Sequence, residues 1–309
     1  MRVADTLGQV SSVTVRVPAK VNLELVVGAA RDDGFHELAT VFQAVSVFDD
    51  VTALPGDHLT VSVEGEGVDA VPTGADNLVL VAARALADHV GVEAHAHLHI
   101  HKSIPVAGGM AGGSADAAAA LLALDRLWET HLDRDELVRL GASVGSDVPF
   151  AMVGHTAMGL GRGERLTPVL ARGHFHWVFA LAEGGLATPE VFAELDRLRS
   201  GSTPPDPRVS DTVMSALRTG NPVALGGVLN NDLQRAAVSL RPSLSMTLDV
   251  GDEYGALASL VSGSGPTCAF LARDEEHALD LAVALSGSGT CRSVTSAVGP
   301  VPGARVVDQ

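Results

Sequence analysis

Residues 105–118 read Pro-Val-Ala-Gly-Gly-Met-Ala-Gly-Gly-Ser-Ala-Asp-Ala-Ala and carry four glycines in six positions, Gly108 to Gly113. Glycine reaches left-handed backbone conformations and lets N–H groups come close to a ligand. A helical run, Ala115 to Trp128, follows; a helix start adds unpaired N–H donors and the positive end of the macrodipole. The combination suits an anion, most naturally a phosphate. It is not a Walker loop, because Ser114 stands where that loop needs lysine. No three glycines here match the Gly-x-Gly-x-x-Gly dinucleotide fingerprint either. The alternative is a bare strand-to-helix turn, which rarely needs so many glycines.

Of 21 basic residues only two are lysines, Lys20 and Lys102. A lysine kept where arginine otherwise supplies the charge suggests a site that wants a compact ammonium rather than a planar fork. Lys102 lies just before the glycine loop, and Lys20 sits in Pro18-Ala19-Lys20-Val21-Asn22 between two β-like runs. Asp147, in Gly-Ser-Asp-Val-Pro-Phe at 145–150, is the acid–base candidate. A carboxylate beside apolar residues and a proline-stiffened turn is held in place and partly desolvated, as a general base must be. Turn chemistry after Gly-Ser explains the same Asp equally well.

Residues 262–268, Ser-Gly-Ser-Gly-Pro-Thr-Cys, form a second glycine turn, either a plain turn or the far wall of a cleft. Cys268 reads as a small core residue, not a nucleophile. His95, His97, His99 and His101 alternate along one run and share a face. His-x-His on a strand can bind zinc, but no nearby Cys or carboxylate completes a site, so a solvated outer face is the favoured reading. Gly34-Phe35-His36-Glu37 offers a ring and an imidazole that can stack on and hydrogen-bond to a base, or simply begins a strand.

The elements that must position these residues are legible in outline. Runs at 13–17, 21–27, 41–48 and 59–63 read as strands of an antiparallel sheet. Residues 77–89 read as a helix with Asp76 as N-cap. A strand at 94–101, the glycine loop and the helix from 115 come next. A helix capped by Asp133 runs through Val144, and 145–150 breaks it. A strand at 175–182 and a helix at 189–199 precede the loop at 200–208. Short helical stretches reach about residue 250, and a βαβ-like tail closes the chain with strand 267–272, helix 275–286 and strand 291–298. The class is α+β, with domains expected at 1–165 and 166–309.

The chain has 309 residues, 46% of them apolar, and a formal charge of −16. No apolar run reaches the length of a membrane span, and the first twenty residues lack the pattern of a signal peptide. Two cysteines, Cys268 and Cys291, are too few for a disulfide framework. There is no basic stripe for nucleic acid. The expected setting is therefore cytoplasmic, with a small-molecule substrate and neither nucleic acid nor membrane as partner, as a monomer or weak homodimer. An acidic protein that takes phosphorylated ligands must concentrate its few cations at the site.

Taken together, the segments at 18–22, 105–115 and 262–268 resemble, in order, the three spaced motifs of the GHMP kinases. The family's phosphate loop reads Pro-x-x-x-Gly-Leu-Gly-Ser. The resemblance implies a two-domain fold with the active site in the cleft between the domains. The N-terminal ATP-binding domain would be ribosomal-protein-S5-like and the C-terminal domain a ferredoxin-like α/β sandwich. Gly-Phe-His-Glu-Leu at 34–38, Lys-Ser-Ile-Pro at 102–105, Gly-Ser-Asp-Val-Pro-Phe at 145–150 and Asn-Asp-Leu at 231–233 are similar to one branch of the family. That branch phosphorylates the 2-hydroxyl of a cytidine diphosphate derivative of methylerythritol, in the non-mevalonate route to isoprenoids. Another small alcohol, homoserine or mevalonate-like, and a non-catalytic nucleotide-binding protein are the alternatives.

The resemblance assigns roles residue by residue. Asp147 would take the substrate proton, and Lys20 would hold Asp147 ionised and offset charge at the γ-phosphate. ATP would meet Asn77 near its adenine and the loop formed by Pro105, Val106, Ala107, Gly108, Gly109, Met110, Ala111, Gly112, Gly113, Ser114 and Ala115. Substrate would meet Asn22 near its hydroxyl, and Phe35, His36, Phe192, Thr188 and Lys102 on the cytidine side. Ala107 and Ala111 stand where the family often has glycine, which argues against a positive φ at either. Ala115 replaces a frequent Ser, and Phe35 a frequent Tyr. The loop offers no carboxylate to Mg²⁺, so the ion would be carried mainly by ATP, with no metal site of the protein's own.

Overall fold

A computed structural model describes residues 12–106, 108–202 and 204–307. The strands are β1 (Val13–Ala30), β2 (His36–Leu54), β3 (Thr60–Gly65), β4 (His97–Lys102), β5 (Thr156–Gly161), β6 (Arg165–Pro168), β7 (Phe175–Leu181), β8 (Asn230–Asn231), β9 (Ala258–Val261), β10 (Cys268–Ala272), β11 (Ser293–Gly299) and β12 (Arg305–Val306). The α-helices are α1 (Leu78–Val90), α2 (Gly112–Leu127), α3 (Arg134–Val144), α4 (Val148–Val153), α5 (Thr188–Leu198), α6 (Asp211–Thr219), α7 (Pro222–Gly226), α8 (Gln234–Leu240), α9 (Ser243–Glu253) and α10 (Glu275–Ser288).

The first sheet runs β12-β1-β2-β4-β3, with β5 and β6 continuing from the other half of β2 and β8 beside β1. Four expected strands become two long antiparallel ones plus β3. Register shifts at Pro18/Ala19 and Asn22/Glu24 interrupt the alternation of β1 without ending it, as bulges do. Lys20 therefore lies within a strand and not between two. The sheet is also not purely antiparallel, since β3 pairs parallel with β4. Helix α2 buries its run of small residues, Ala117 to Ala120, against this sheet and against α1. Asn77, not Asp76, caps α1: its side-chain oxygen accepts from Val79 N at 2.9 Å. Asp133 caps α3 as expected, accepting from Glu136 N at 2.7 Å.

The second sheet runs β11-β7-β10-β9. β10 and β11 flank β7, both antiparallel to it, and α10 joins them. This is the split βαβ of ferredoxin-like folds, so the tail is βαβ with a strand inserted between its two β members. Alternation gives the sheet two buried faces. Val178, Ala180 and Phe270 pack under Leu248, Leu281 and Leu285 of α9 and α10, while Phe175, Trp177 and Phe179 join the larger core that includes the first sheet. Trp177 Nε1 donates to Gln43 Oε1 of β2 at 3.0 Å, a buried polar tie between the sheets. No helix among the described residues is long and apolar enough to cross a membrane.

Candidate active site

The glycine loop meets the second glycine turn. Gly109 has φ +74°, and a Cβ built there would lie 2.0 Å from Ser262 O. Only glycine allows this approach. Ser262 Oγ donates to Gly109 O at 3.1 Å, and Gly263 sits beside Lys20 Nζ, 3.2 Å from where its Cβ would be. The second turn is held from below by Asn231, whose amide donates to Val261 O and Gly263 O, both at 2.7 Å. Asn231 was legible only as part of a motif; its scaffold role comes from the pairing of β8 with β1.

Between and beside these turns lies a cleft of about 500 Å³. Of the expected residues, Lys20, Asn22, Gly108, Gly109, Ala111, Gly112, Gly113, Ser114, Asp147, Thr188 and Phe192 line it. Lys20 Nζ stands 3.8 Å from Asp147 Oδ2, and donates to Asn22 Oδ1 at 2.7 Å. Asn22 in turn donates to Thr40 Oγ1 at 2.8 Å, and Thr40 donates to Glu24 O at 2.6 Å. Because the Thr40 hydroxyl proton is committed to a carbonyl, its oxygen must accept from the Asn22 NH₂. The Asn22 oxygen therefore faces Lys20. Burial pushes the Lys20 ammonium below the usual lysine range, opposed by the Asp147 charge and its hydrogen bond. Asp147 sits between α3 and α4 with a side chain 28% exposed and no capping bond to α4, so its carboxylate is available to the cleft.

Ala111 adopts φ +61° despite its Cβ, against expectation; it is the N-cap of α2 and makes no side-chain cap. The chain must reverse there to aim the first N–H groups of α2 at the cleft. An L-residue in that region carries strain. Ala111→Gly is expected to raise stability by roughly 0.5–1 kcal/mol after glycine's own entropy cost, measured as a higher urea midpoint. Ala107 lies outside the described residues.

Phe192 lines the cleft and packs against His36, while Phe35 and His36 are not among the lining residues. The His36 and Phe192 rings are 4.9 Å apart, and His36 Nε2 is 2.9 Å from Asp196 Oδ1. Phe35 lies under the Arg162 guanidinium at 4.8 Å, and Arg162 lines the cleft. Thr188 Oγ1 and Ser264 Oγ are 2.9 Å apart. Thr40 and Arg162 are cleft residues that the sequence reading passed over, while Ser264 belongs to the second glycine turn. Arg162 sits in Gly-Arg-Gly-Glu at 161–164, and that glycine-flanked arginine was the available signal.

Of the expected ligands, Phe35, His36, Asn77, Lys102, Pro105, Val106, Met110 and Ala115 are not among the residues lining the cleft. Lys102 does not line the cleft. It is 3% exposed beneath the start of α2, and its ammonium donates to Asp49 Oδ2 at 2.5 Å and Asp116 Oδ2 at 2.7 Å. Its donors are thus turned to these carboxylates and not to a cytidine. Asn77 commits its amide to Pro72 O and Val79 N, and leaves Leu78 to line the cleft. Met110 and Ala115 are buried behind the loop. Cys268 is a core residue: burial pushes its thiol up to about 12, where no thiolate forms near neutral pH. His97 and His99 share Ser62, and His101 bonds Glu64, along the outer face of β3–β4.

Known proteins resemble this chain along almost all of its length. The family model for the GHMP kinases N terminal domain matches residues 77–155, and that for GHMP kinases C terminal matches 213–291. A 4-diphosphocytidyl-2-C-methyl-D-erythritol kinase of Nocardia farcinica is 58% identical over 96% of this chain and 97% of its own length. The protein of the same name from Mycobacterium tuberculosis is 55% identical over 96% and 93%. A solved 4-(cytidine 5'-diphospho)-2C-methyl-D-erythritol kinase is 32% identical with a TM-score of 0.71, covering 92% of this chain and 98% of that one. Homoserine kinase from Cytophaga hutchinsonii, at 16% identity and a TM-score of 0.73, shares the fold. With both halves of the chain matched, and relatives above half identity along almost all of it, this protein belongs to the GHMP kinase family.

Proposed function

We propose that this kinase transfers the γ-phosphoryl group of ATP to the 2-hydroxyl of 4-diphosphocytidyl-2-C-methyl-D-erythritol, a step of the non-mevalonate route to isoprenoid precursors. The observation that carries the reading is that one cleft is lined by an ammonium–carboxylate pair, a glycine loop and Phe192, whose ring packs against His36. Phosphoryl transfer asks mainly for positioning and charge neutralisation. The glycine loop and the first turn of α2 would cradle the ATP phosphates. Asp147 would accept the hydroxyl proton as the new O–P bond forms and the β–γ bridging bond breaks, releasing ADP. Lys20, kept charged by Asp147 and aimed by Asn22, would steady both the carboxylate and the γ-phosphate. Phe35, His36 and Phe192 would hold the cytosine.

The donor set fits a Mg²⁺ carried chiefly by the nucleotide. Asp147 is the acidic residue lining the cleft among the described residues, and Asp116 Oδ2 is engaged by Lys102. Ser114, in the cleft at the start of α2, would add one hydroxyl ligand. When bound, the ion supplies charge neutralisation at the β- and γ-phosphates.

The same reading divides the chain at 1–165 and 166–309 and has it act in the cytoplasm, without nucleic acid or membrane, as a monomer or weak homodimer. The sheets support a boundary just after β6, at Pro168, with β7, β9, β10 and β11 in the second sheet, while β8 and β12 return to the first. The test is ADP release from Mg-ATP with and without the proposed alcohol. Strong dependence on it, with competition by cytidine nucleotides, is expected. Turnover of homoserine or mevalonate in its place would replace the reading.

A further inference from the structure

Resting on that reading, we infer that Arg162 binds the diphosphate linking cytidine to the methylerythritol unit. Among the described residues two cations line the cleft, Lys20 and Arg162, in a chain of formal charge −16. Lys20 is committed to Asp147 and Asn22 at the reacting end. The substrate's diphosphate lies between its base and its reacting alcohol, so a second cation is needed nearer the base. Arg162 lines the cleft with its Cζ 4.8 Å from the Phe35 ring centroid, and the Thr188–Ser264 hydroxyl pair lines the same cleft.

The local structure keeps this guanidinium unspent. Arg162 stands in the β5–β6 turn between Gly161 and Gly163, at φ +77° and +103°. The neighbouring carboxylate, Glu164, is taken up by the Arg162 backbone N–H at 2.6 Å. Nearby Arg31 pairs with Asp33 and Glu37, and Arg165 pairs with Glu37. No ion pair forms at the Arg162 guanidinium among the described residues. Its Cζ lies 4.8 Å from the Phe35 ring centroid, and among the described residues no hydrogen bond is made by its N–H groups. A guanidinium edge matches two phosphate oxygens at once, which an ammonium cannot do.

The test compares Arg162→Met and Arg162→Lys with the unaltered enzyme. Inhibition by cytidine and by cytidine diphosphate is measured against the alcohol substrate, with KM for ATP as the control for folding. A charge-assisted contact of this kind is expected to raise the substrate KM and weaken cytidine diphosphate by about 10–100-fold in Arg162→Met. Cytidine, which lacks phosphate, should change by less than about twofold, and Arg162→Lys should recover part of the loss. Equal weakening of cytidine and its diphosphate would mean that Arg162 only braces Phe35, and would overturn the inference. So would no change in either ligand. An unaltered enzyme that binds no cytidine nucleotide would instead remove the functional reading beneath it.

Discussion

Asp147→Asn is expected to lower kcat by roughly 10²–10⁴-fold while leaving KM for ATP within about twofold. The amide keeps the size of the side chain and its place before α4 but cannot take the hydroxyl proton. It also removes the charge that opposes the lowering of the Lys20 ammonium by burial. Part of the loss should therefore appear as a fall in activity with rising pH that starts lower than in the unaltered enzyme. Single-turnover measurement at saturating ATP and alcohol separates chemistry from product release. A kcat within about threefold of the unaltered enzyme would take Asp147 out of the proton-accepting role, since general-base losses are far larger.

Lys102→Met should be the most damaging substitution outside the cleft, costing about 3–5 kcal/mol of stability. Asp49 Oδ1 accepts from Ser103 N at 2.6 Å and Ile104 N at 2.8 Å, which fixes the stem entering the glycine loop. Asp116 lies on the first turns of α2, the stem leaving it. Lys102 bridges the two carboxylates, so one ammonium closes the base of the loop. Burial alone would lower this ammonium, but Asp116 and Asp49 together hold it above the ordinary lysine range. Asp116 is pushed up to about 8, chiefly by burial, with Oδ1 left without a hydrogen-bond partner. Removing the lysine strands two carboxylates in the core. Asp116→Asn leaves Lys102 paired with Asp49 and strands no charge, so it should cost less, about 1 kcal/mol. Urea unfolding of the two variants checks the contrast, and equal losses would refute the bridging role.

Lys102 also shows where sequence reading succeeds and fails. Nearness in sequence to the glycine loop suggested a ligand contact. Strand periodicity says otherwise: Lys102 has the parity of Leu98 and Ile100, the buried face, while His97, His99 and His101 take the outer one. The signal was there and was outweighed by proximity. The glycine loop, the Asp133 cap, the βαβ order of the tail and the Lys20–Asp147 pairing were legible because each rests on local chemistry or on a motif in fixed order, whereas the insertion of β7 into the tail was not. Nor were β5, β6 and the parallel β3–β4 pair. Glycines at 159, 161 and 163 hide the alternation of β5, and strand direction depends on distant partners. Arg162 escaped notice for the same reason, since its value depends on which carboxylates are elsewhere engaged.

The last strand has a consequence for how the chain comes to be folded during synthesis. β12 pairs with Val15 and Arg16 at the outer edge of β1, and Ala304 N bonds Ala151 O. The first sheet thus has most of its strands once β6 is made, but its edge is closed only by residues 305–306. At ribosomal speeds of about 5–20 residues per second, that edge waits on the order of 10–30 s. In that interval the start of β1 offers unpaired N–H and C=O groups, the feature that recruits foreign strands. Nascent chains stalled before β12 should engage chaperones that released chains do not.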